Sequence, residues 1–71
     1  MAHYKVSFRV EGKTYYAEGD SSYPSDEAIE KKEIDMGIAM ENAAIFASAY
    51  KNMSRLEGMV EPESIGLEIY K

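Results

Sequence analysis

Apolar and polar side chains alternate along the first ten residues of the chain. Every second position there is apolar: Tyr4, Val6, Phe8 and Val10. A period of two is typical of a β-strand with one buried face. We predict a two-residue type II′ turn at Gly12-Lys13, because glycine suits the first turn position. The segment from Thr14 to Glu18 then returns as a second strand.

This hairpin distributes its side chains over two faces. With the turn at Gly12-Lys13, Arg9 is expected opposite Tyr16, and Phe8 opposite Ala17. The expected inner face carries Tyr4, Val6, Phe8, Val10, Tyr15 and Ala17. The expected outer face carries Lys5, Ser7, Arg9, Thr14, Tyr16 and Glu18. Together with Tyr70, the basic and aromatic members of the outer face form a candidate contact patch, although we favour the simpler explanation of a cation–π pair on an ordinary sheet surface.

The apolar spacing changes to a helical one after Ser25, which suits an N-cap. The acidic residues Asp26 and Glu27 fall in the first turn, where the helix dipole favours them. The pattern continues to about Glu57, and Gly58 suits the residue after a helix end. Beyond a second loop, Ile65, Leu67 and Ile69 alternate with polar or small residues and predict a last strand.

The order strand, strand, helix, strand predicts an α+β fold in a single domain over residues 1–71. We expect a three-stranded antiparallel sheet in the order 2-1-3, with one long helix packed on one face.

The predicted helix is too long and too apolar for this sheet. Some thirty helical residues would reach ~45 Å, whereas seven-residue strands reach only ~23 Å. One apolar stripe contains Ile29, Met36, Met40, Ala43 and Ala47, and a second contains Ile34, Ile38, Ile45, Ala49 and Leu56. Either the helix breaks near Gly37, a poor helix former, or its second stripe packs against another copy of the chain.

We favour the homodimer. Its expected interface consists of Ile34, Ile38, Ile45, Ala49 and Met53. Pairing of exposed strand edges is a second candidate contact between copies. The other reading is that small and flexible side chains simply fill a tight monomer core.

Composition narrows the class of protein. The chain contains no cysteine, which favours a reducing, cytoplasmic setting and removes disulfides and thiolate metal sites. No signal peptide is expected, because the alternating N-terminus has no apolar h-region. No membrane span is expected, because no apolar run approaches ~20 residues. We expect no enzymatic activity and no cofactor or metal, since 71 residues leave little room for a substrate cleft. The single histidine, His3, is expected in a frayed terminus.

Acidic residues are concentrated rather than scattered. Residues 18–41 contain eight acids and two lysines, a charge of -6, in a chain whose net charge is -5. Carboxylates three or four residues apart on a helix lie ~5 to 6 Å from each other, close to the spacing of phosphates on a DNA strand. The acidity also makes direct nucleic-acid binding the least expected of the binding functions.

The leading hypothesis is therefore an acidic interaction module or inhibitor that covers a basic partner protein, with DNA-binding proteins as candidates, as a DNA mimic would. The expected contacts are Glu27, Glu30, Glu33, Asp35, Glu41, Glu61 and Glu63. The alternative is a structural or regulatory subunit that assembles through its apolar helix face, with charge serving only solubility.

Overall fold

The computed structural model describes all 71 residues and confirms the predicted α+β architecture. Its elements are β1 (Ala2–Val10), β2 (Lys13–Ser21), α1 (Asp26–Lys31), α2 (Met36–Met53), a short 3-10 turn (Pro62–Ser64) and β3 (Gly66–Tyr70). The three antiparallel strands follow the order β2-β1-β3, as predicted. The main helix, α2, lies across one face of the sheet.

The hairpin turn lies one residue earlier than predicted. Val10 pairs with Lys13, so Glu11 and Gly12 form the turn, with φ values of 51° and 76°. Two consecutive positive φ values are what a type I′ turn requires, and this turn matches the twist of the strands. Arg9 therefore lies opposite Thr14, and Tyr16 opposite Ser7.

The assignment of side chains to the two faces nevertheless holds. Moving the turn by one residue shifts each pairing by two positions on β2, which returns every side chain to the same face. The inner-face residues Tyr4, Val6, Phe8, Val10 and Ala17 are all buried. Tyr15 is half-buried against them.

An unbroken helix of some thirty residues is wrong: the chain forms two helices, and the break lies at 32–35, just before Gly37. α1 begins at the predicted N-cap, where the Ser25 hydroxyl accepts a hydrogen bond from the Ala28 amide. It ends at Lys32, whose φ of 57° is left-handed. Asp35 then caps α2 by accepting from the amides of Gly37 and Ile38. The segment is therefore divided by a second N-cap, Asp35, rather than by the weak helix former Gly37.

The main helix also ends earlier than Glu57. Arg55 adopts a left-handed φ of 54° after Ser54, and the Leu56 amide donates to the Lys51 carbonyl at 3.0 Å. This bond, together with that from the Arg55 amide to the Asn52 carbonyl, forms a Schellman motif. Gly58 is left-handed as well, but it lies in the following loop.

Three alanines place α2 close to the sheet. Ala39, Ala43 and Ala47 recur every four residues and are completely buried against the inner face. Phe46 packs on Tyr4, and Tyr50 packs on Phe8 and Tyr15. The core is small, since only 10 of the 71 residues are buried.

Candidate functional site

Five of the expected partner-binding acids lie on consecutive elements at one end of the molecule. Glu27 and Glu30 are on α1, Glu33 and Asp35 are on the connecting loop, and Glu41 is in the second turn of α2. All five are exposed. We call this group the carboxylate corner.

The carboxylate corner is held in place by bonds inside the chain. The Tyr23 hydroxyl accepts a hydrogen bond from the Asp35 amide at 2.6 Å, which ties the α1–α2 loop to the end of β2. The Lys31 ammonium lies 2.7 Å from Glu27, and Lys71 donates to Glu30. The hydrogen bond to this carboxylate raises the pKa of Lys71.

The carboxylates of the corner therefore differ in whether they already have a hydrogen-bond or ion-pair partner inside the chain. Asp35 uses its carboxylate to cap α2, and Glu27 and Glu30 each have a lysine partner. Glu33 and Glu41 have neither a hydrogen bond nor an ion pair from their side chains. These two carboxylates are the ones most available to a partner.

Glu61 and Glu63 lie at the opposite end of the sheet. The adjacent Val60 forms a bridge with Val10, the last residue of β1. A Glu61 carboxylate oxygen accepts from the Gly12 amide in the hairpin turn at 3.3 Å. The seven predicted contacts therefore do not form one surface, because the broken helix and the length of β1 separate them.

An exposed apolar stripe runs along α2. It consists of Ile38, Ile45, Ala49 and Met53, and we call it the α2 stripe. The exposed fractions are 43% for Ile38, 63% for Ile45 and 85% for Met53. The spacing of seven, four and four residues keeps these side chains on one side of the helix. Ile34, the fifth predicted interface residue, instead precedes the helix and packs against the core.

The outer face of the sheet carries a cluster that was not expected. His3 is not frayed; it lies in β1, between Asp20 of β2 and Tyr70 of β3. Its Nδ1 is 2.8 Å from the Asp20 carboxylate, and its Nε2 is 2.9 Å from the Glu18 carboxylate. The pKa of His3 is raised, most strongly by its hydrogen bond to Glu18 and next by its hydrogen bond to Asp20. The same bond to His3 lowers the pKa of Glu18. The alternating pattern places His3, Glu18 and Asp20 on the outer face, but it does not give the pairing that brings them together.

The same face holds a shallow groove of 420 Å³. Ser7 and Gly66 are small and adjacent, and the outer-face residues Lys5, Tyr16 and Glu68 also line the groove. The Lys5 ammonium lies 5.5 Å from the centre of the Tyr70 ring, and the Tyr70 hydroxyl donates to Glu68, which raises the pKa of Tyr70. The residues of the predicted contact patch share the outer face, but Arg9 and Tyr16 are not directly opposite each other.

The structure has neither a cluster of metal-ligand side chains nor a helix that could span a membrane. No group of three or more histidine, aspartate or glutamate side chains is arranged to hold a metal ion. No helix has the length and apolar character needed to cross a bilayer.

Comparisons with known proteins gave no relative. No family model matches the chain, and neither a curated protein nor a solved structure is significantly similar to it.

Proposed function

We propose that this chain is a non-enzymatic interaction module that acts as a homodimer and binds a basic protein through its carboxylate corner. The observation that carries the proposal is that five exposed carboxylates fall within residues 27–41, on α1, the following loop and the first turns of α2. Two of them, Glu33 and Glu41, have no partner inside the chain. DNA-binding proteins are the candidate partners, because they present concentrated positive charge.

The corner supports binding by charge and by a fixed backbone. Capping by Asp35 and the hydrogen bond from its amide to Tyr23 fix the loop that carries Glu33. A rigid set of carboxylates loses less conformational entropy on binding than a flexible acidic tail does. Opposite charge also accelerates the encounter between partners, and this acceleration weakens as salt is added.

The five acids resemble the phosphates of a DNA strand less closely than a single row of carboxylates along one long helix would. The acids do not form a single row along one helix, because the chain turns between Lys32 and Asp35. The proposed mimicry therefore rests on local charge density at one end of each copy, and Glu61 and Glu63 do not belong to it.

A second function is favoured by a separate observation. The α2 stripe leaves Ile45 and Met53 largely exposed, which is unusual for large apolar side chains on a well-formed helix. A structural or regulatory subunit would use this stripe to join a larger assembly, and its charge would serve only solubility.

Charge reversal at the corner discriminates between the two functions. We expect Glu33→Lys with Glu41→Lys to weaken binding to a basic DNA-binding protein by at least about 10-fold at low salt, because two attractive contacts become repulsive. The measurement is titration calorimetry against a panel of purified basic DNA-binding proteins at increasing salt.

The matched control reverses two acids outside the corner. Glu57→Lys with Glu63→Lys changes the net charge by the same amount, but these residues follow the helix and precede β3. This variant should bind nearly as well as the original chain. Equal losses for both variants, or binding that does not respond to salt, would contradict a local electrostatic site.

A further inference from the structure

We propose that two copies of this chain pair through the free edge of β2, which produces a continuous six-stranded sheet and brings their α2 stripes into contact. The inference rests on the homodimer of the proposed function and names the surface that forms it. The occupant of both the strand edge and the stripe is a second copy of the chain.

β2 is a long edge strand with one free side. It spans nine residues, its only neighbour in the sheet is β1, and it contains no proline. Because Val10 and Lys13 close a two-residue turn, the odd-numbered residues of β2 exchange hydrogen bonds with β1. The backbone groups of Thr14, Tyr16, Glu18 and Asp20 consequently point away from the sheet. Such an edge is a template for another strand.

The α2 stripe lies on the same side of the molecule as this edge. Asn42 donates to Ser21 of β2, and the Phe46 ring closely approaches Gly19 of β2. These residues mark the flank of α2 that faces β2. Ile38, Ile45 and Ala49 follow next around the helix, away from the sheet.

The dimensions of sheets and helices make the two contacts compatible. α2 lies mainly over β1 and β2, and it touches β3 only at its margin. Strands are ~4.8 Å apart, so a twofold axis midway between two β2 strands places each α2 about one strand spacing from the axis. The two helices would then be about 10 Å apart and antiparallel, which is the ordinary distance for packed helices.

Charge and the position of α2 together favour one register. Pairing β2 with its copy about Ala17 places Tyr16 opposite the partner's Glu18, and Thr14 opposite the partner's Asp20. A shift of one residue in the position of the axis, to Glu18, would instead place Glu18 opposite its own copy, and like charges directly opposite are destabilising.

Tyr50 packs on Tyr15 and Phe46 lies over Gly19, so the middle of this stretch of α2 is above Ala17. The helices would therefore cross near Ala49, whose small side chain allows close approach, with Ile45 beside the partner's Met53.

A single engineered cysteine tests this register in a chain that has none. Ala17 would face its own copy across the axis in a non-hydrogen-bonded pair, where Cα atoms are about 4.5 Å apart, within the range of a disulfide. We expect Ala17→Cys to form a disulfide-linked dimer under mild oxidation. Ser22→Cys, exposed just beyond β2, is the control and should stay monomeric on a denaturing gel. A dimer that cross-links equally well through Ser22→Cys, or not at all through Ala17→Cys, would overturn the arrangement.

Two neutral substitutions test the edge and the stripe without changing charge. Tyr16→Pro removes an outward-facing amide together with an exposed side chain, and Ile45→Ser changes only an exposed side chain. In sedimentation equilibrium at about 100 µM, the original chain should be a dimer, and each variant should lose at least 10-fold in dimer affinity while keeping its far-ultraviolet circular dichroism. An original chain that stays monomeric, or variants that dimerise unchanged, would refute the proposal.

The same variants separate this inference from the proposed function. Both leave the carboxylate corner intact, so a monomeric variant that still binds basic proteins in a manner sensitive to Glu33 and Glu41 supports the corner alone. Loss of partner binding in a chain that still cross-links at position 17 would refute the corner and support the dimer.

Discussion

At the scale of single residues, the imidazole of His3 is the group most sensitive to pH. Its pKa is raised above the ordinary value of 6.5 by hydrogen bonds to Glu18 and Asp20, and the pKa of Glu18 is lowered from 4.5 by His3. A raised histidine pKa stabilises the fold below the unfolded pKa and loses this effect as pH rises through the folded one. A lowered glutamate pKa stabilises above its unfolded value and loses this effect as pH falls through the folded one.

We therefore expect His3→Gln to be most destabilising at about pH 5.5, and nearly neutral at about pH 9. The measurement is urea unfolding of both chains across this pH range, with an NMR titration of the His3 ring as the direct check. A ring that titrates below 6.5, or a stability difference that does not change with pH, would contradict the bonding described at His3.

Residue positions on the sheet could be predicted from the sequence, and the His3 cluster could not. The faces of β1 and β2 follow from a period of two, which survives an error in the turn. The bonds of His3 depend on the strand extending to Ala2 and on the pairing of His3 with Asp20. A terminal residue gives no local indication of such pairing.

At the scale of elements, the break between α1 and α2 depends on Asp35. Its carboxylate accepts from the amides of Gly37 and Ile38 at 2.9 and 3.3 Å. We expect Asp35→Ala to lower the free energy of unfolding by about 1 kcal/mol, the usual effect of losing an N-cap. Glu33→Ala removes a neighbouring carboxylate that caps nothing, and its unfolding free energy should stay within about 0.5 kcal/mol of the original. Chemical denaturation of both variants is the measurement, and equal losses would show that charge, not capping, matters here.

The close approach of α2 to the sheet gives a second prediction at this scale. Ala43 is completely buried between the helix and the inner face, so Ala43→Leu should destabilise by about 1 to 3 kcal/mol through overpacking. Ala49→Leu makes the same change on the exposed side of the helix, where we expect less than about 0.5 kcal/mol in dilute, monomeric protein. Urea unfolding of both chains checks the difference, and similar values would contradict the packing of α2.

The element boundaries show why the helix was predicted too long. The apolar spacing runs nearly unbroken from Ile29 to Leu56, so periodicity alone does not reveal an end. Capping decides the boundaries here: Lys32 leaves the helical region, and Asp35 begins a new helix. An aspartate inside a periodic segment is ambiguous in sequence, because aspartate also occurs on exposed helix surfaces.

At the scale of the whole molecule, the proposed dimer and the carboxylate corner serve different purposes. Pairing of β2 edges would cover the α2 stripe and leave both corners open, on the helix-bearing face at opposite ends of the joined sheet.

The excess of helical apolar surface over the sheet could be predicted from the sequence. The separation of Glu61 and Glu63 from the other acids could not, since it depends on where the chain returns to β1.

Competition with DNA tests the corner most directly. A basic DNA-binding protein is loaded with labelled duplex DNA, and fluorescence polarisation follows the release of DNA as this chain is added. We predict release by the original chain and by Glu57→Lys with Glu63→Lys, and at least 10-fold weaker release by Glu33→Lys with Glu41→Lys. No release by the original chain from any member of the panel, or equal release by both double variants, would contradict the proposed corner.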